Sequence, residues 1–175
     1  KKELENHKHV FFTGTPCQID GLKHYLSEKC VSMEQLILCD IICHGVPSPL
    51  VWLSYLNFIE DKNHSKVVYA TTRSKRAGWR NYSPYVAFEN GTIHDGNFYS
   101  DVRTYMCLFF KGLIFRESCY HCQYSNIQRV SDITIADFWG IEKVYSRFDT
   151  PKGVSLVLTN TSKGQRTLDG MKQYA

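Results

Sequence analysis

The sequence predicts an α/β fold, a mostly parallel sheet built from βαβ units with a β-hairpin insertion. Two observations carry this. Apolar runs of strand length alternate with helical runs in the order strand, turn, helix, strand, turn, helix, the pattern of parallel strands joined by crossover helices. The middle of the chain then breaks that rhythm with an Asn-Gly turn between two short alternating runs, a strong local signal for a hairpin. At 175 residues, 43% apolar and 22% charged, the composition suits a single domain over 1–175 with a sizeable core.

Residues 9–13 (HVFFT) read as a buried strand, and 16–27 as a helix with Ile19, Leu22, Tyr25 and Leu26 on one face. Residues 36–42 (LILCDII) repeat the apolar run, CHGVPSP turns the chain, and 50–60 (LVWLSYLNFIE) is helical. A third strand is expected at 66–71 (KVVYAT), and the Asn-Gly turn places the hairpin over 84–98. Residues 101–114 read as a helix; 132–137 (DITIAD) and 153–160 (GVSLVLTN) read as two more strands. The opening KKELENHKH reads as the end of a surface helix, and the chain stops at LDGMKQYA, inside another. Both ends are those expected of a piece of a longer protein.

Several function classes fall away. The net charge of +4 is too mild to argue for nucleic acid. No window approaches the roughly 18–20 apolar residues of a membrane span, and the N-terminus has no apolar signal core, so a cytoplasmic protein is expected. There is no G-x-G-x-x-G, no P-loop, no H-E-x-x-H and no G-x-S-x-G, which removes the familiar dinucleotide, nucleotide and hydrolase signatures.

Seven cysteines in such a chain favour metal ligation or redox chemistry over disulfides. In FTGTPCQ, Thr15 suits an N-cap, Pro16 the first helical position, and Gln18 completes a capping box three residues on. Cys17 then falls at the second helical residue, where unpaired N–H groups and the helix dipole favour an anionic sulfur. The alternative for Cys17 is a small apolar residue packed under the turn. Cys43 directly follows the second strand, ahead of a helix that Ser48 and Pro49 start. Turns that follow parallel strands open on one edge of the sheet, where ligands bind, and ADFWG with Asp137 is delivered to that edge too. Just upstream lies a C-x-x-C pair, Cys119 and Cys122, a spacing used by zinc, iron–sulfur and dithiol sites alike. Convergence of these loops would make Cys17, Cys43, Cys119 and Cys122 a four-thiolate metal site. Cys30, Cys39 and Cys107 read as structural.

At this point the blocks GTPCQIDGLKHYL, CDIICHGVPSPLVWLSYL, RSKRAGWR, SCYHCQYSNIQRVSDITIADFWG and KGVSLVLTNTSKG become recognisable. In that order they resemble the C-terminal region of the coenzyme F420 hydrogenase/dehydrogenase beta-subunit family. Ala136 stands where that family commonly has glycine. The resemblance implies the catalytic portion of a flavin- and iron–sulfur-dependent oxidoreductase, passing electrons between clusters, FAD and a hydride carrier such as coenzyme F420 or a similar deazaflavin. It implies a 4Fe–4S cluster on Cys17, Cys43, Cys119 and Cys122, for which zinc on the same sulfurs is the direct rival. It also implies a ferredoxin-like segment ahead of this region, or a separate iron–sulfur partner protein. If FAD binds, FTGTPCQ with Gly14, Thr15 and Gln18 is the expected phosphate or flavin cradle, because it ends at a helix N-terminus.

The run RSKRAGWR reads by spacing as a solvated basic loop, or as a grip on anionic phosphates with Trp79 stacking on a ring. The resemblance selects Arg73 and Lys75 for such contacts. His44 can hydrogen-bond a sulfide or a flavin edge or stand idle in its turn, and His121 reads as a bystander. Asp137 and Trp139 read equally as site residues or as a helix cap and a packed ring. No residue is singled out as a catalytic acid or base. Two other functions stay open on these residues: a thiol–disulfide oxidoreductase using Cys17 or the Cys119/Cys122 pair, and a non-catalytic module stapled by zinc.

Overall fold

The computed structural model describes residues 1–76, 78–80, 83–97 and 100–172. In chain order its helices are α1 (Lys2–Glu5), α2 (Pro16–Glu28), α3 (Pro49–Asn63), α4 (Ser100–Phe110), α5 (Glu117–Tyr120), α6 (Ile141–Val144) and α7 (Ser162–Met171). Its strands are β1 (Val10–Gly14), β2 (Leu36–Ile41), β3 (Val67–Ser74), β4 (Ser83–Phe88), β5 (Ile93–Asp95), β6 (Ile133–Asp137) and β7 (Ser155–Thr159). They belong to two compact units, one of Lys1–His44, Gln123–Phe148 and the chain from Val154, the other of Gly45–Cys122 with Asp149–Gly153. No described helix is long and apolar enough to cross a membrane.

The first unit holds a four-stranded sheet in the order β1-β2-β6-β7. β1, β2 and β6 run parallel, and β7 returns antiparallel beside β6. α2 is the crossover that brings the chain back to start β2 alongside β1. Ile19 and Leu26 of α2 are fully buried in one cluster with Leu36 and Leu38 of β2 and Leu4 of α1. Each such side chain removed from water contributes roughly 1.5–3 kcal/mol. Leu22 packs on the same cluster, whereas Tyr25, at the rim of the apolar stripe, is exposed. In α7, Gly164 lies so close to the Asp132 carbonyl that any Cβ would overlap it, so this helix reaches the sheet only with a glycine there.

The second unit is built on a three-stranded antiparallel sheet, β3-β4-β5. β3 follows α3 where a third strand is expected, yet it does not extend the parallel sheet; it pairs antiparallel with β4. Antiparallel neighbours need only a short connection, which the sequence supplies between these two strands, while another parallel strand needs a full crossover. The hairpin forms at the Asn-Gly turn with Tyr85 opposite Asp95 and Ala87 opposite Ile93, and Gly91 takes φ 82°. Phe98, inside the expected hairpin range, lies outside the described residues. α3 and α4 pack on this sheet through Ile59 and Val102, against Val86 and Phe88 of β4.

Two irregularities have sequence causes. β3 bulges over Thr72–Arg73, since Thr71 opposes Tyr85 and Ser74 opposes Ser83. The residue between those partners on β4 is Pro84, which has no N–H to give, so the ladder is interrupted where it could not be complete. α4 stops short of the expected residue 114 because Gly112 takes φ 68°. Gly112 N–H then donates to Phe109 O and Leu113 N–H to Leu108 O, closing the helix end.

Candidate functional site at the sheet edge

The three parallel strands end in register. Gly14 lies opposite Asp40, and Ile41 lies opposite Ile135, so the turns after β1, β2 and β6 leave from one edge of the first unit's sheet. This edge carries Thr15–Gln18, Cys43, His44 and Asp137. The helix start is formed as its sequence dictates. Thr15 is the N-cap, Pro16 is the first helical residue, and Gln18 Oε1 accepts from the Thr15 amide at 2.9 Å. The Thr15 hydroxyl lies 3.1 Å from Cys17 Sγ. Gly14 makes room for this arrangement: a Cβ there would stand 3.1 Å from Gln18 Oε1. Cys17 and Cys43 are both exposed, so packing under the turn is not the role of either. Asp137 and Trp139 are also exposed, and Gly140 is the N-cap of α6.

Beneath the edge lies a polar network that the sequence reading did not single out. Asp40, in the interior strand β2, is fully buried. Arg129 Nη2 donates to Asp40 Oδ2 at 2.9 Å and to Ile41 O at 3.1 Å, and Thr134 Oγ1 donates to Asp40 Oδ1 at 2.6 Å. Arg129 Nη1 also reaches the carbonyls of Tyr124 and Asn126, at 3.4 and 3.3 Å. The segment that follows the C-x-x-C pair is thereby tied to the end of β2. A second tie runs from Tyr124, whose hydroxyl donates to Asp20 of α2 at 2.7 Å. The signal was available: a carboxylate inside the apolar run LILCDII must find a charged or hydrogen-bonded partner if the run is buried.

In the second unit, residues 46–48 pair with residues 114–116. Ser48 N–H donates to Ile114 O at 2.8 Å, and Arg116 N–H to Val46 O at 2.9 Å. Gly45 lies under the Phe115 ring, where a Cβ would come within 2.8 Å of it. This short ladder sets the start of α5, and with it Cys119. Burial raises the Cys119 thiol, but hydrogen bonds from Arg116 and the Val46 amide, with the Arg116 charge and Ser118, outweigh it and hold the pKa below the ordinary cysteine value. Cys122 is exposed three residues on. His121 is exposed and stands 4.0 Å from Glu117, a weak contact that fits its bystander reading.

The basic run divides in two. Arg76 stacks over the Tyr85 ring at 4.1 Å, and Arg80 pairs with Asp149 at 2.6 Å. Arg73, on the β3 bulge, and Lys75, just beyond the strand, are exposed. Trp79 is buried against Gly153, whose φ of 85° and missing Cβ let the backbone lie on the indole. That packing, and not stacking on a bound ring, is its role.

Cys39 is buried in β2, with its thiol pushed up by burial and by Asp40, as a structural cysteine should be. Cys30 and Cys107, also read as structural, are exposed. Among the described residues no three His, Cys, Asp or Glu side chains are gathered closely enough to hold a metal ion. The four expected ligands stand as two pairs, Cys17 and Cys43 on the first unit and Cys119 and Cys122 on the second. Their chemistry suits thiolate ligation: three are exposed, and the sulfur of Cys119 already receives amide and guanidinium hydrogen bonds.

The lowered Cys119 pKa has a direct consequence. As pH falls, Cys119, lowered, keeps its thiolate to a lower pH than Cys39, raised. Iodoacetamide labelling followed by mass spectrometry is expected to modify Cys119 at lower pH than Cys39, and Arg116→Ala to move the Cys119 profile upward. Equal profiles for the two cysteines would remove the Arg116 argument.

The family model for the C terminus of the coenzyme F420 hydrogenase/dehydrogenase beta subunit matches residues 7–175 of this chain. No curated protein matches it.

Proposed function

We propose, for a chain that belongs over nearly its whole length to the coenzyme F420 hydrogenase/dehydrogenase beta-subunit family, a role in moving electrons between iron–sulfur clusters, FAD and a hydride carrier. The carrier is coenzyme F420 or a similar deazaflavin. The observation that carries the reading is the common edge of β1, β2 and β6, from which Cys17 and Cys43 leave on adjacent turns. Cys17, Cys43, Cys119 and Cys122 supply the thiolates for a 4Fe–4S cluster, which when bound gives and accepts single electrons. Gly14, Thr15 and Gln18 form the cradle at the start of α2, where the positive end of the helix dipole favours a phosphate. Arg73 and Lys75 contact the anionic part of FAD or of the carrier. The protein supplies position and electrostatics while the cofactors carry the chemistry. Membership of a beta-subunit family supports work in an enzyme of several subunits; the electrons arrive from a ferredoxin-like segment or partner, and the location we propose is the cytoplasm.

The test is anaerobic purification or reconstitution, followed by the visible spectrum and by iron, zinc and flavin analysis. Four irons with bound FAD support the reading; stoichiometric zinc without flavin supports a zinc-stapled module. A colourless protein whose activity is lost on alkylation supports a thiol–disulfide enzyme, for which the lowered Cys119 thiol speaks. In a protein that binds FAD, Arg73→Ala with Lys75→Ala is expected to weaken FAD or carrier binding by more than tenfold, since each charge-assisted hydrogen bond contributes roughly 1.5–3 kcal/mol. Unchanged affinity and salt dependence in calorimetric titration would return both residues to the solvated surface.

A further inference from the structure

β7 ends the first unit's sheet on one side, and among the described residues no strand pairs with its outer edge. Open edges are ordinarily blunted by a charge, a proline or a bulge, because their backbone N–H and C=O groups invite another strand. β7 has none of these: its sequence is SLVLT, and its register with β6 runs unbroken from Ser155 to Thr159. Val157 and Leu158, on opposite faces, are 40% and 41% exposed. α7 turns back over the sheet rather than along this edge, since its Lys163 donates to Leu36 O of β2 at 2.6 Å, on the far side of β6. The opposite edge is protected differently: exposed Lys8 and His9 directly precede β1.

The ladder to β6 decides which backbone groups of β7 face outward. Phe138 N–H donates to Val154 O and Asn160 N–H to Asp132 O, so Val154 and Asn160 turn these groups toward β6. The hydrogen-bonding direction alternates along an antiparallel strand, which leaves Ser155, Val157 and Thr159 to present theirs to the open edge. About the middle one of these residues the strand nearly matches its own reverse. Antiparallel pairing centred on Val157 sets Val157 opposite Val157, Ser155 opposite Thr159 and Leu156 opposite Leu158. Every outward N–H then meets an outward C=O. The leucine pairs fall at the non-hydrogen-bonded positions, where side chains approach most closely, and Ser meets Thr, a favourable cross-strand pair. Residues 153–161 (GVSLVLTNT) carry no charge, so nothing along the strand repels its copy.

We propose that β7 pairs antiparallel with β7 of a second copy of this chain, about a two-fold axis at Val157, joining the two four-stranded sheets into one. The near-palindrome is what selects a second copy over an unrelated strand, and the contact is isologous, so it closes at two copies. Five residues of strand span only about 17 Å, so the contact lies at the small end of specific interfaces and the dimer forms in a concentration-dependent way.

The test is sedimentation velocity of the full chain over a concentration series, in reductant so that the exposed thiols do not cross-link. The parent is expected to shift from monomer to dimer as concentration rises. Val157→Pro removes an outward N–H and leaves the bonds to β6 in place, and is expected to weaken the dimer by more than about tenfold. Val157→Lys and Val157→Glu are each expected to stay monomeric, because on the two-fold axis each charge faces its own copy, while an equimolar mixture of the two associates. Circular dichroism checks that the variants are folded. A parent that stays monomeric at millimolar concentration overturns the proposal and leaves the edge to a strand of another chain. Lys and Glu variants that dimerise as the parent does place the contact elsewhere and overturn it too. Folded Lys and Glu variants that fail to associate when mixed overturn the axis at Val157.

Discussion

Replacing Arg129 with methionine is expected to destabilise the protein by about 3–5 kcal/mol. The pair it breaks is not a surface contact: the Arg129 side chain is 9% exposed and that of Asp40 is 0% exposed. An exposed ion pair would contribute at most about 1 kcal/mol, since water and salt screen it. Here removal of the guanidinium leaves a carboxylate in the sheet interior with, among the described residues, only the Thr134 hydroxyl to serve it. It also frees the carbonyls of Ile41, Tyr124 and Asn126. In thermal unfolding the loss corresponds to a fall of roughly 6–20 °C for a chain of this size. Asp40→Asn combined with Arg129→Met is expected to recover a large part of it, because the uncompensated charge disappears while Thr134 keeps an acceptor. A single Arg129→Met variant within about 1 kcal/mol of the parent would mean that water reaches Asp40 and that the pair behaves as a surface contact.

This pair also marks where sequence reasoning stops. The alternation from β1 through α3, the capping box at Thr15–Gln18 and the hairpin at Asn90–Gly91 were all legible, because each depends on residues a few positions apart. The end of α4 was equally local: Gly112 was present in the sequence, and the apolar run beyond it concealed the stop. What was not legible was long-range choice. No local pattern says that β3 pairs with β4 rather than with the parallel sheet. Nor does one say that Trp79 packs on Gly153, so a tryptophan inside a basic run read either as part of a solvated loop or as a stacking platform. Arg129 reads as one more charge in a polar segment until β2 and β6 are placed side by side. Of the candidate site, the cysteines and the helix start were visible from spacing. The clamp that holds the 124–129 segment to the sheet edge was not.

The Cys17→Ser variant, reconstituted anaerobically, is expected to lose most of its iron while keeping its fold and its flavin. Serine is close in size to cysteine and forms a poor ligand to iron in a thiolate site. It also leaves the helix start intact, since Thr15 remains the N-cap, Pro16 the first residue, and the Gln18 bond to the Thr15 amide does not involve the sulfur. A loss of iron could therefore not be assigned to an unravelled helix, and circular dichroism would confirm that. Cys30→Ser and Cys107→Ser are the matched controls. Both cysteines are as exposed as Cys17, so general thiol reactivity predicts the same loss from all three, whereas ligation predicts loss from Cys17 alone. Iron content per chain and the visible charge-transfer absorption are the measurements. Full iron in Cys17→Ser would remove it from the ligand set. A thiol-dependent activity lost in the same variant would then make Cys17 a reactive sulfur at the start of α2.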